Sequence, residues 1–406
     1  MERDLSRAEP AEVGLSAEGL GRIDAALAGL IGQGELAGAV TLVARHGRIV
    51  HQSAQGMKDL AAGERLRADT IFRIFSMTKP VTAAAMMILH DEGRWRPEDP
   101  IAKILPAFAD VTVFGGVDGD GRVRRLAPDH APTLKELLTH TAGLSYGFDP
   151  QDAVDDLYRA VEPLAAGSLA ELADRVAGLP LAYQPGSQWR YSLSMDLQGA
   201  IIEALSGQTL EDFMRLRIFE PLGMGDTAFY VPPEKRGRLA TLYRKSRWRG
   251  LVATDTILGR DDETPPALAL GGGGLFSTAA DYARFAQMLL NRGELGGARI
   301  LSPEAVALMT ANHLSDDLIQ GGFGVGLQQI RPGYGYGFNG AVFTDPQAAG
   351  LPVGEGTYQW DGAAGTWFWI DPVNDLLFVG LIQRLPPPGP PSLQSMTQQM
   401  VAAAMV

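Results

Sequence analysis

Residues 72–89 of this 406-residue chain read FRIFSMTKPVTAAAMMIL. The part from 81 to 89 is rich in Ala and Met and contains no helix breaker, so it predicts a buried helix. Pro80 is tolerated only in the first turn of a helix, which places the helix start near residues 77–78. Ser76 therefore lies at the helix entrance, where free backbone amides and the helix dipole favour developing negative charge.

Ser76 and Lys79 form a Ser-x-x-Lys pair. Residues three apart lie on the same face of a helix, so the ammonium of Lys79 can hold Ser76 Oγ and help to remove its proton. Such a tetrad also occurs by chance, with a helix-capping serine and an exposed lysine. Here the lysine lies beside an apolar helix, and a partly buried ammonium needs a partner. The pair is a candidate nucleophile with its activating group.

Charge and hydropathy argue against nucleic-acid and membrane partners. The 35 Lys and Arg against 47 Asp and Glu give a net charge of −12, whereas nucleic-acid binding needs a clustered positive field. The one basic cluster, residues 244–249, is interpreted as a solvated loop. No apolar run approaches the roughly 18 residues of a membrane span, and the N-terminus lacks a signal-peptide core. We predict a cytoplasmic protein and leave the oligomeric state open.

Composition also argues against a metal or cofactor. The chain contains no cysteine, which excludes disulfides, thiolate metal sites and cysteine nucleophiles. The six histidines show no His-x-x-x-His or other ligand spacing. The glycines at 271–274 are not followed by the Lys-Ser/Thr of a phosphate-binding loop. We therefore predict that the protein uses no metal and no cofactor.

Hydrophobic periodicity divides the chain into two kinds of segment. Residues 96–264 contain short helices separated by Pro/Gly loops, with few strand signals. The flanking segments combine strands with helices at both termini. The predicted helices there span 17–31, 81–89, 279–290 and 393–406, and the predicted strands span 39–43, 49–53, 324–329, 367–370 and 376–382, with a further strand signal near Leu268.

This order predicts an α+β fold with an inserted segment. An antiparallel sheet lobe, residues 1–95 and 265–406, is flanked by the terminal and central helices. An all-helical lobe, residues 96–264, interrupts it. We expect the functional site in the cleft between the two lobes, since ligand pockets form preferentially at such junctions.

Tyr191 is a second candidate for chemistry. It follows the turn at Pro185 and Gly186 and directly precedes a predicted helix. A tyrosine with its usual pKa near ~10 is a poor base. A neighbouring ammonium such as Lys79 would favour the phenolate and lower that pKa. The alternative is an ordinary core tyrosine, which the local sequence alone favours.

Residues 360–365, Trp-Asp-Gly-Ala-Ala-Gly, are the third candidate. Small residues beside an edge strand let a substrate carbonyl approach backbone amides. The amide of Ala363, with that of Ser76, would then form an oxyanion hole. The alternative is a Gly-rich turn into the strand that follows.

Ser145 is a rival nucleophile, because residues 143–147 match the Gly-x-Ser-x-Gly elbow of α/β-hydrolases. That elbow needs a strand before the serine and a helix after it. Here a predicted helix precedes the motif, and Pro150 resists a helix after it. Only His313 lies downstream to complete a Ser–Asp–His order. We therefore interpret this segment as a loop that lines the cleft.

The candidates share their order with one superfamily. A Ser-x-x-Lys, a tyrosine about a hundred residues later and an aromatic-x-Gly near the C-terminus correspond here to Ser76, Tyr191 and Trp360. The stretches 72–79, 137–144, 221–224 and 273–278 match it as well. From about residue 10 to 400, the chain resembles the serine β-lactamase-like superfamily of class C β-lactamases, D-Ala-D-Ala peptidases and family VIII carboxylesterases. The resemblance implies a β-lactamase-like fold.

Two departures distinguish branches of this superfamily. Its β-lactamases and peptidases carry Tyr-x-Asn and a Lys-Thr-Gly or His-x-Gly, whereas this chain has Leu193 and Trp360-x-Gly362. Those Asn and Lys side chains hold the amide and carboxylate of a β-lactam or peptide. Their replacement leaves a more apolar acyl or alcohol pocket. Tyr-Ser-x-Ser-x-Asp at 191–196 resembles the family VIII esterases.

The resemblance implies a carboxylesterase for small esters, with weak turnover of strained β-lactams. Ser76 would be the nucleophile, and Tyr191, made more acidic by Lys79, would accept its proton. The implied substrate contacts are Trp360, Gly362, Tyr146 and Leu193. Alternatives are a β-lactamase or D-amino-acid peptidase, an acyltransferase on the same fold, and a catalytically silent penicillin-binding-like receptor.

Overall fold

The structure is a computed structural model that describes residues 4–254, 264–321, 323–325, 328–330, 332–389 and 392–406. Its helices are α1 Ala17–Gly32, α2 Thr78–Asp91, α3 Leu134–Leu138, α4 Ala153–Val161, α5 Leu169–Ala177, α6 Ser194–Ser206, α7 Leu210–Met214, α8 Glu220–Leu222, α9 Ala279–Leu290, α10 Pro303–Thr310, α11 Asp316–Gly321, α12 Pro346–Ala349 and α13 Leu393–Ala403. Its strands are β1 Ser6–Arg7, β2 Gly38–Arg45, β3 Arg48–Asp59, β4 Glu64–Arg65, β5 Phe72–Arg73, β6 Val113–Val117, β7 Val123–Leu126, β8 Tyr243–Ser246, β9 Gly250–Ala253, β10 Phe276–Ser277, β11 Glu294–Leu295, β12 Ala298–Arg299, β13 Phe323–Val325, β14 Gln328–Ile330, β15 Tyr334–Tyr336, β16 Ala341–Phe343, β17 Tyr358–Asp361, β18 Trp367–Asp371, β19 Leu376–Leu381 and β20 Arg384–Leu385.

The main sheet joins the two ends of the chain. Its strand order is β1-β3-β2-β19-β18-β17-β16-β15, with β4 beside β3. β2 and β3 form the predicted N-terminal hairpin, and β18 and β19 form the predicted C-terminal pair. β19 pairs antiparallel with β2, from Leu376 opposite Arg45 to Leu381 opposite Val40. The α+β prediction is confirmed, since the segment between these halves interrupts a single sheet.

Helices cover both faces of the central strands. Successive side chains of a strand point to opposite faces. Trp367 and Trp369 of β18 pack with α1 and α13, whereas Phe368 and Ile370 pack with α2 and α9. Every residue of β18 and β19 is buried. This double coverage explains why both strands read as nearly continuous apolar runs.

α2 is the predicted buried helix. All of its residues from Thr78 to Leu89 are buried, which accounts for Ala and Met on every side of it. It packs against α6 of the inserted segment and α10 of the sheet lobe. A 3₁₀ turn, Phe75–Met77, precedes it, so the helix begins where Pro80 predicts. Ser76 therefore lies where elements from both predicted lobes meet.

The inserted segment is not all-helical, which corrects the prediction. Two antiparallel hairpins, β6–β7 and β8–β9, lie within residues 96–264. Their strands are short and partly exposed, so they lack the apolar alternation that predicts strands. In the basic cluster, Arg247 and Arg249 lie in the turn of the β8–β9 hairpin, whereas Arg244 and Lys245 lie on β8, where Lys245 pairs with Glu35. The lobe boundaries at residues 96 and 264 stay a prediction.

The strand predicted near Leu268 is absent, and residues 268–275 have turn and irregular backbone instead. The strand predicted over 324–329 includes residues 326–327, which lie outside the described residues, and the residues on either side form the antiparallel pair β13–β14. Leu268 and Leu270 are apolar because they are buried as part of a loop. Gly271 lets this loop approach α6: a Cβ there would lie 2.4 Å from the Met195 carbonyl oxygen. In the described ranges, no helix is long and apolar enough to cross a membrane, and the cytoplasmic location stays a prediction.

Candidate active site

Ser76, Lys79 and Tyr191 meet at the entrance of α2. Ser76 Oγ lies 2.7 Å from the hydroxyl oxygen of Tyr191 and 3.1 Å from Lys79 Nζ. One helical turn separates the serine from the lysine, as their spacing predicts. The structure thus brings together the three residues predicted to act on a substrate.

The backbone before the nucleophile candidate is strained. Phe75 has a φ of 44°, in the left-handed region that is unfavourable for a residue with a Cβ. Its side chain is held in a small buried cluster with Leu242, Ala364 and Leu385. Strain that surrounding packing maintains is frequent at functional sites, and here it fixes the direction of Ser76.

Tyr191 reaches the site from the inserted segment. The chain turns at Gly186, whose φ of 76° suits glycine, and Tyr191 follows shortly before α6. Its ring centroid lies 4.7 Å from Lys79 Nζ and 5.9 Å from the ring of Trp360. The phenol is thus enclosed by groups from both predicted lobes.

Lys79 is buried, with 1% of the residue exposed. Its ammonium donates to the carbonyl oxygen of Gly272 and to Ser76 Oγ. Burial lowers the pKa of Lys79 to about 7, against the opposing charges of Asp196 and Asp361. Near neutral pH the amine is therefore partly unprotonated and can accept a proton.

The predicted lowering of the Tyr191 pKa is wrong in direction. Burial raises the pKa of Tyr191 well above its usual value, and the hydrogen bond with Ser76 opposes this only in part. The cause is desolvation, which disfavours a phenolate more strongly than a partly neutral lysine can favour it. In the resting site Tyr191 is a protonated phenol, and Lys79 is the group able to accept a proton.

The turn after β17 carries one of the two predicted oxyanion donors. Gly362 N donates to the Thr366 carbonyl oxygen, which closes the turn and leaves the Ala363 amide outside that bond. A Cβ on Gly362 would lie 2.4 Å from the carbonyl oxygen of Ile74. Gly362 therefore holds the turn against the backbone that precedes Ser76. This close packing explains why residue 362 is glycine, and the explanation requires no contact between Gly362 and substrate.

The amide of Ser76 is the other predicted donor. A 3₁₀ turn makes its first internal bond from its third residue, and here Met77 N donates to Ile74 O at 3.0 Å. The Ser76 amide comes before that bond and has no acceptor within the turn. An oxyanion site of the Ser76 and Ala363 amides is consistent with this arrangement and stays a proposal.

β17 is an edge strand only at its end. β16 pairs with it at Tyr358 and Gln359, whereas Trp360 and Asp361 pair only with β18. The predicted edge is thus an internal strand whose last two residues are not paired with β16 in the described part of the chain, and we call these two residues the open end of β17. β17 is internal because β16 of the β15–β16 hairpin, which the sequence did not predict, pairs with its first two residues.

Tyr146 lies close to the reactive groups. Its ring is 5.5 Å from Lys79 Nζ and 5.3 Å from the ring of Tyr191. It stacks at 4.7 Å on Phe148, which is 69% exposed. The pair forms an aromatic rim between the site and solvent, which suits the predicted substrate contact of Tyr146.

Leu193 and Trp360 differ from their predicted roles. Leu193 is completely buried in the main hydrophobic core, so it offers no surface to a substrate. Trp360 is 1% exposed and packs against Tyr191 and Tyr336, so it supports the site from behind rather than forming an open wall. Burial of both side chains depends on the packing of α6 and β17, which motif spacing does not reveal.

Ser145 is not arranged as a nucleophile. Its hydroxyl donates to the carboxylate of Asp155, which also binds Arg190 at 2.8 Å. The serine is 1% exposed. A hydroxyl held by a carboxylate and closed to solvent cannot reach an ester. Ser145 instead anchors the loop that carries Tyr146.

Sequence reasoning missed the partners of Lys79. Asp196 in the first turn of α6 is buried, and its Oδ1 accepts from Gly272 N at 2.9 Å, so the Gly272 loop contacts both the carboxylate and the lysine. Asp361, at the open end of β17, supplies a second negative charge. The sequence contains a signal for Asp196. A buried lysine requires a nearby hydrogen-bond acceptor or negative charge, and Asp196 is the last residue of the Tyr-Ser-x-Ser-x-Asp pattern at 191–196.

The arrangement of side chains does not favour a metal site. His46, His51 and His130 each contact a single carboxylate. Within the ranges that the structure describes, no three His, Asp or Glu side chains are placed to hold an ion.

Comparison with known proteins finds similarity along nearly the whole chain. The family model described as Beta-lactamase matches residues 23–400. The chain is 40% identical over 357 residues to Protein Rv1367c of Mycobacterium tuberculosis, covering 87% of each. It is 33% identical over 385 residues to Esterase EstB of Burkholderia gladioli, covering 89% of this chain and 90% of that protein.

A solved structure is similar over the same range. EstCE1, described as a hydrolase with promiscuous acyltransferase activity, is 26% identical with a TM-score of 0.77. The match covers 95% of this chain and 98% of that one. Residues 76, 79 and 191 all lie inside the span matched by the family model.

Proposed function

The chain belongs to the beta-lactamase family and has the β-lactamase-like fold that its sequence predicts, and on this premise we propose that it is a serine carboxylesterase of the family VIII branch. The observation that carries the proposal is Ser76 Oγ within hydrogen-bond distance of both Lys79 and Tyr191. The 33% identity to Esterase EstB supports ester hydrolysis. The substrates are small or short-chain carboxylic esters.

Acylation starts from neutral Lys79 and neutral Tyr191. The Lys79 amine accepts the Ser76 proton across 3.1 Å as Oγ attacks the ester carbonyl. The amides of Ser76 and Ala363 stabilise the oxyanion. Tyr191, 2.7 Å from Oγ, gives its proton to the alkoxide as the C–O bond breaks. The alcohol leaves an acyl-serine with a Lys79 ammonium and a Tyr191 phenolate.

Deacylation restores the starting state. The Tyr191 phenolate takes a proton from water, and the resulting hydroxide attacks the acyl carbon. Lys79 returns its proton to Ser76 Oγ as the acid departs. Each group ends in its original protonation state, so the cycle needs no external proton carrier or cofactor.

The apolar replacements favour esters over β-lactams. At the positions where β-lactamases and peptidases carry Asn and Lys, this chain has Leu193 and Trp360, both buried. Neither gives an amide or an ammonium to bind the carboxylate of a β-lactam. A small ester needs only the nucleophile and the oxyanion donors. The Tyr146–Phe148 stack supplies apolar surface for its acyl or alcohol group.

The pH profile of kcat/KM tests Lys79 as the base. Its pKa of about 7 means that the amine is increasingly protonated, and so inactive as a base, below neutral pH. We expect kcat/KM for an uncharged ester to fall about tenfold per pH unit below about 7 and to level off above it. Initial rates from pH 5 to 9 measure this. A profile that stays flat down to pH 5 would contradict the assignment.

The substrate preference tests the function itself. We expect kcat/KM for p-nitrophenyl butyrate to exceed that for a chromogenic cephalosporin by at least two orders of magnitude. The site lacks the Asn and Lys side chains that would bind the polar groups of the cephalosporin, and the loss of one such contact can lower kcat/KM by that factor. Parallel assays at one pH, with Ser76→Ala as the blank, measure the ratio.

Each alternative predicts a different outcome of these assays. Cephalosporin turnover that rivals ester turnover would indicate a β-lactamase. Transfer to an added alcohol or thiol that outpaces hydrolysis would indicate an acyltransferase, the activity that the description of EstCE1 makes relevant. A Ser76 that an organophosphonate does not label would indicate a silent receptor.

A further inference from the structure

His140 lies between α3 and the Tyr146 loop, in a motif that the proposed mechanism does not use. It is buried, with 1% exposed, and its φ of 61° is in the left-handed region. Such backbone is unfavourable for most residues with a Cβ and persists only where the surroundings fix it. The position is therefore held by specific contacts.

Those contacts are with the two neighbours of Tyr191. The carbonyl oxygen of His140 accepts from Arg190 N at 2.9 Å. Its Nδ1 accepts from Ser192 N at 3.2 Å and lies 3.0 Å from Ser192 Oγ. The imidazole also packs against the ring of Tyr191, with centroids 4.8 Å apart. One residue thus binds the backbone on both sides of the phenol and touches the phenol itself.

The imidazole is neutral in this arrangement. A backbone amide can only donate, so Nδ1 must be unprotonated and the ring proton must lie on Nε2. Burial lowers the pKa of His140 well below its usual value, and the nearby charge of Lys79 lowers it further. The hydrogen bond to Ser192 therefore persists over the pH range in which Lys79 titrates.

We propose that His140 is the positioning residue for Tyr191, holding residues 190 and 192 so that the phenol stays within hydrogen-bond distance of Ser76. The proposal rests on the proposed function, in which Tyr191 transfers a proton at that distance. Without the Nδ1 acceptor the Ser192 amide is buried without its partner. The segment then shifts, and a displacement of about 1 Å at a reacting group can lower the rate about 10²-fold.

The test compares two replacements of similar size. His140→Leu removes the acceptor, whereas His140→Asn keeps an acceptor, its Oδ1, at nearly the same distance from Cα. Asn also tolerates the left-handed backbone. We expect His140→Leu to lower kcat for ethyl butyrate, whose alkoxide leaving group needs the Tyr191 proton, about 10²-fold with KM nearly unchanged, and His140→Asn to recover most of that loss. His313→Leu is the control for loss of a partly buried histidine outside the site, since its Nε2 binds the Leu308 carbonyl oxygen.

The outcomes separate this proposal from the proposed function. Equal kcat values for the Leu and Asn variants, or a loss confined to KM, would overturn the positioning role. If His140→Leu does not give folded protein by circular dichroism, His140→Gly replaces it, because glycine adopts this φ without strain. Tyr191→Phe is assayed alongside: if it retains wild-type kcat, the proposed function fails, whereas an inactive Tyr191→Phe beside a fully active His140→Leu overturns only the positioning role.

Discussion

Replacing Ser76 by alanine is expected to lower kcat for a short p-nitrophenyl ester on the order of 10⁵- to 10⁶-fold, the scale of removing the nucleophile in other serine hydrolases. The physical reason is that Lys79 Nζ at 3.1 Å and the Tyr191 hydroxyl at 2.7 Å both converge on this one oxygen. Neither group can form an acyl intermediate by itself. Steady-state kinetics measure the change in kcat, and mass spectrometry shows whether an organophosphonate labels Ser76 in the wild type and not in the variant.

Ser145→Ala is the control for this prediction. Ser145 lies in the competing Gly-x-Ser-x-Gly motif, but its hydroxyl is bound to Asp155 and closed to solvent. We expect the variant to keep most of its kcat, with a loss of about 2 kcal/mol of stability from the hydrogen bond to a carboxylate. Activity that survives Ser76→Ala and disappears in Ser145→Ala would reverse the assignment of the nucleophile.

The contact between Ser76 and Lys79 was predictable because it is local. A helix places residues three apart on one face, and the position of Pro80 fixed the helix start within a residue. Tyr191 is 115 residues from Ser76, so no local rule places it there. The superfamily resemblance supplied that pairing, whereas the residues around Tyr191 alone suited an ordinary core tyrosine.

The acid–base properties of the site were not predictable in the same way. Motif reasoning considered one neighbour, Lys79, and predicted a more acidic Tyr191. The structure adds burial, which raises the pKa of Tyr191 and lowers that of Lys79. Desolvation depends on every segment packed around a group, and these segments are distant in the sequence. In the proposed mechanism, Lys79 is therefore the base and Tyr191 the acid, the reverse of what the motif predicts.

The surroundings of Leu193 and of β17 were not predictable for a related reason. Leu193 was predicted to line a pocket because it occupies a motif position, yet its side chain lies in the core. The open end of β17 exists because β16 pairs with only its first two residues, a matter of sheet register. Register and side-chain direction depend on tertiary packing, whereas residue order in a motif does not reveal them.

Replacing Tyr191 by phenylalanine is expected to lower kcat/KM for ethyl butyrate on the order of 10³-fold, within the range of general acid–base catalysis. An alkoxide is a poor leaving group and needs the proton that Tyr191 is proposed to donate. p-Nitrophenolate leaves as a stable anion, so kcat/KM for p-nitrophenyl butyrate should fall much less. Because kcat/KM reports the steps through acylation, the difference between the two esters measures proton donation to the leaving group.

Tyr336→Phe is the matched control. Tyr336 is a buried tyrosine whose ring lies 5.5 Å from the ring of Trp360, and within the described residues the hydroxyl of Tyr336 has no hydrogen-bond partner. Removal of the Tyr336 hydroxyl should leave kcat/KM unchanged for both esters. Equal losses for the two esters in Tyr191→Phe would mean that the phenol acts before C–O cleavage, as a base or as a support, and would contradict its role as the acid.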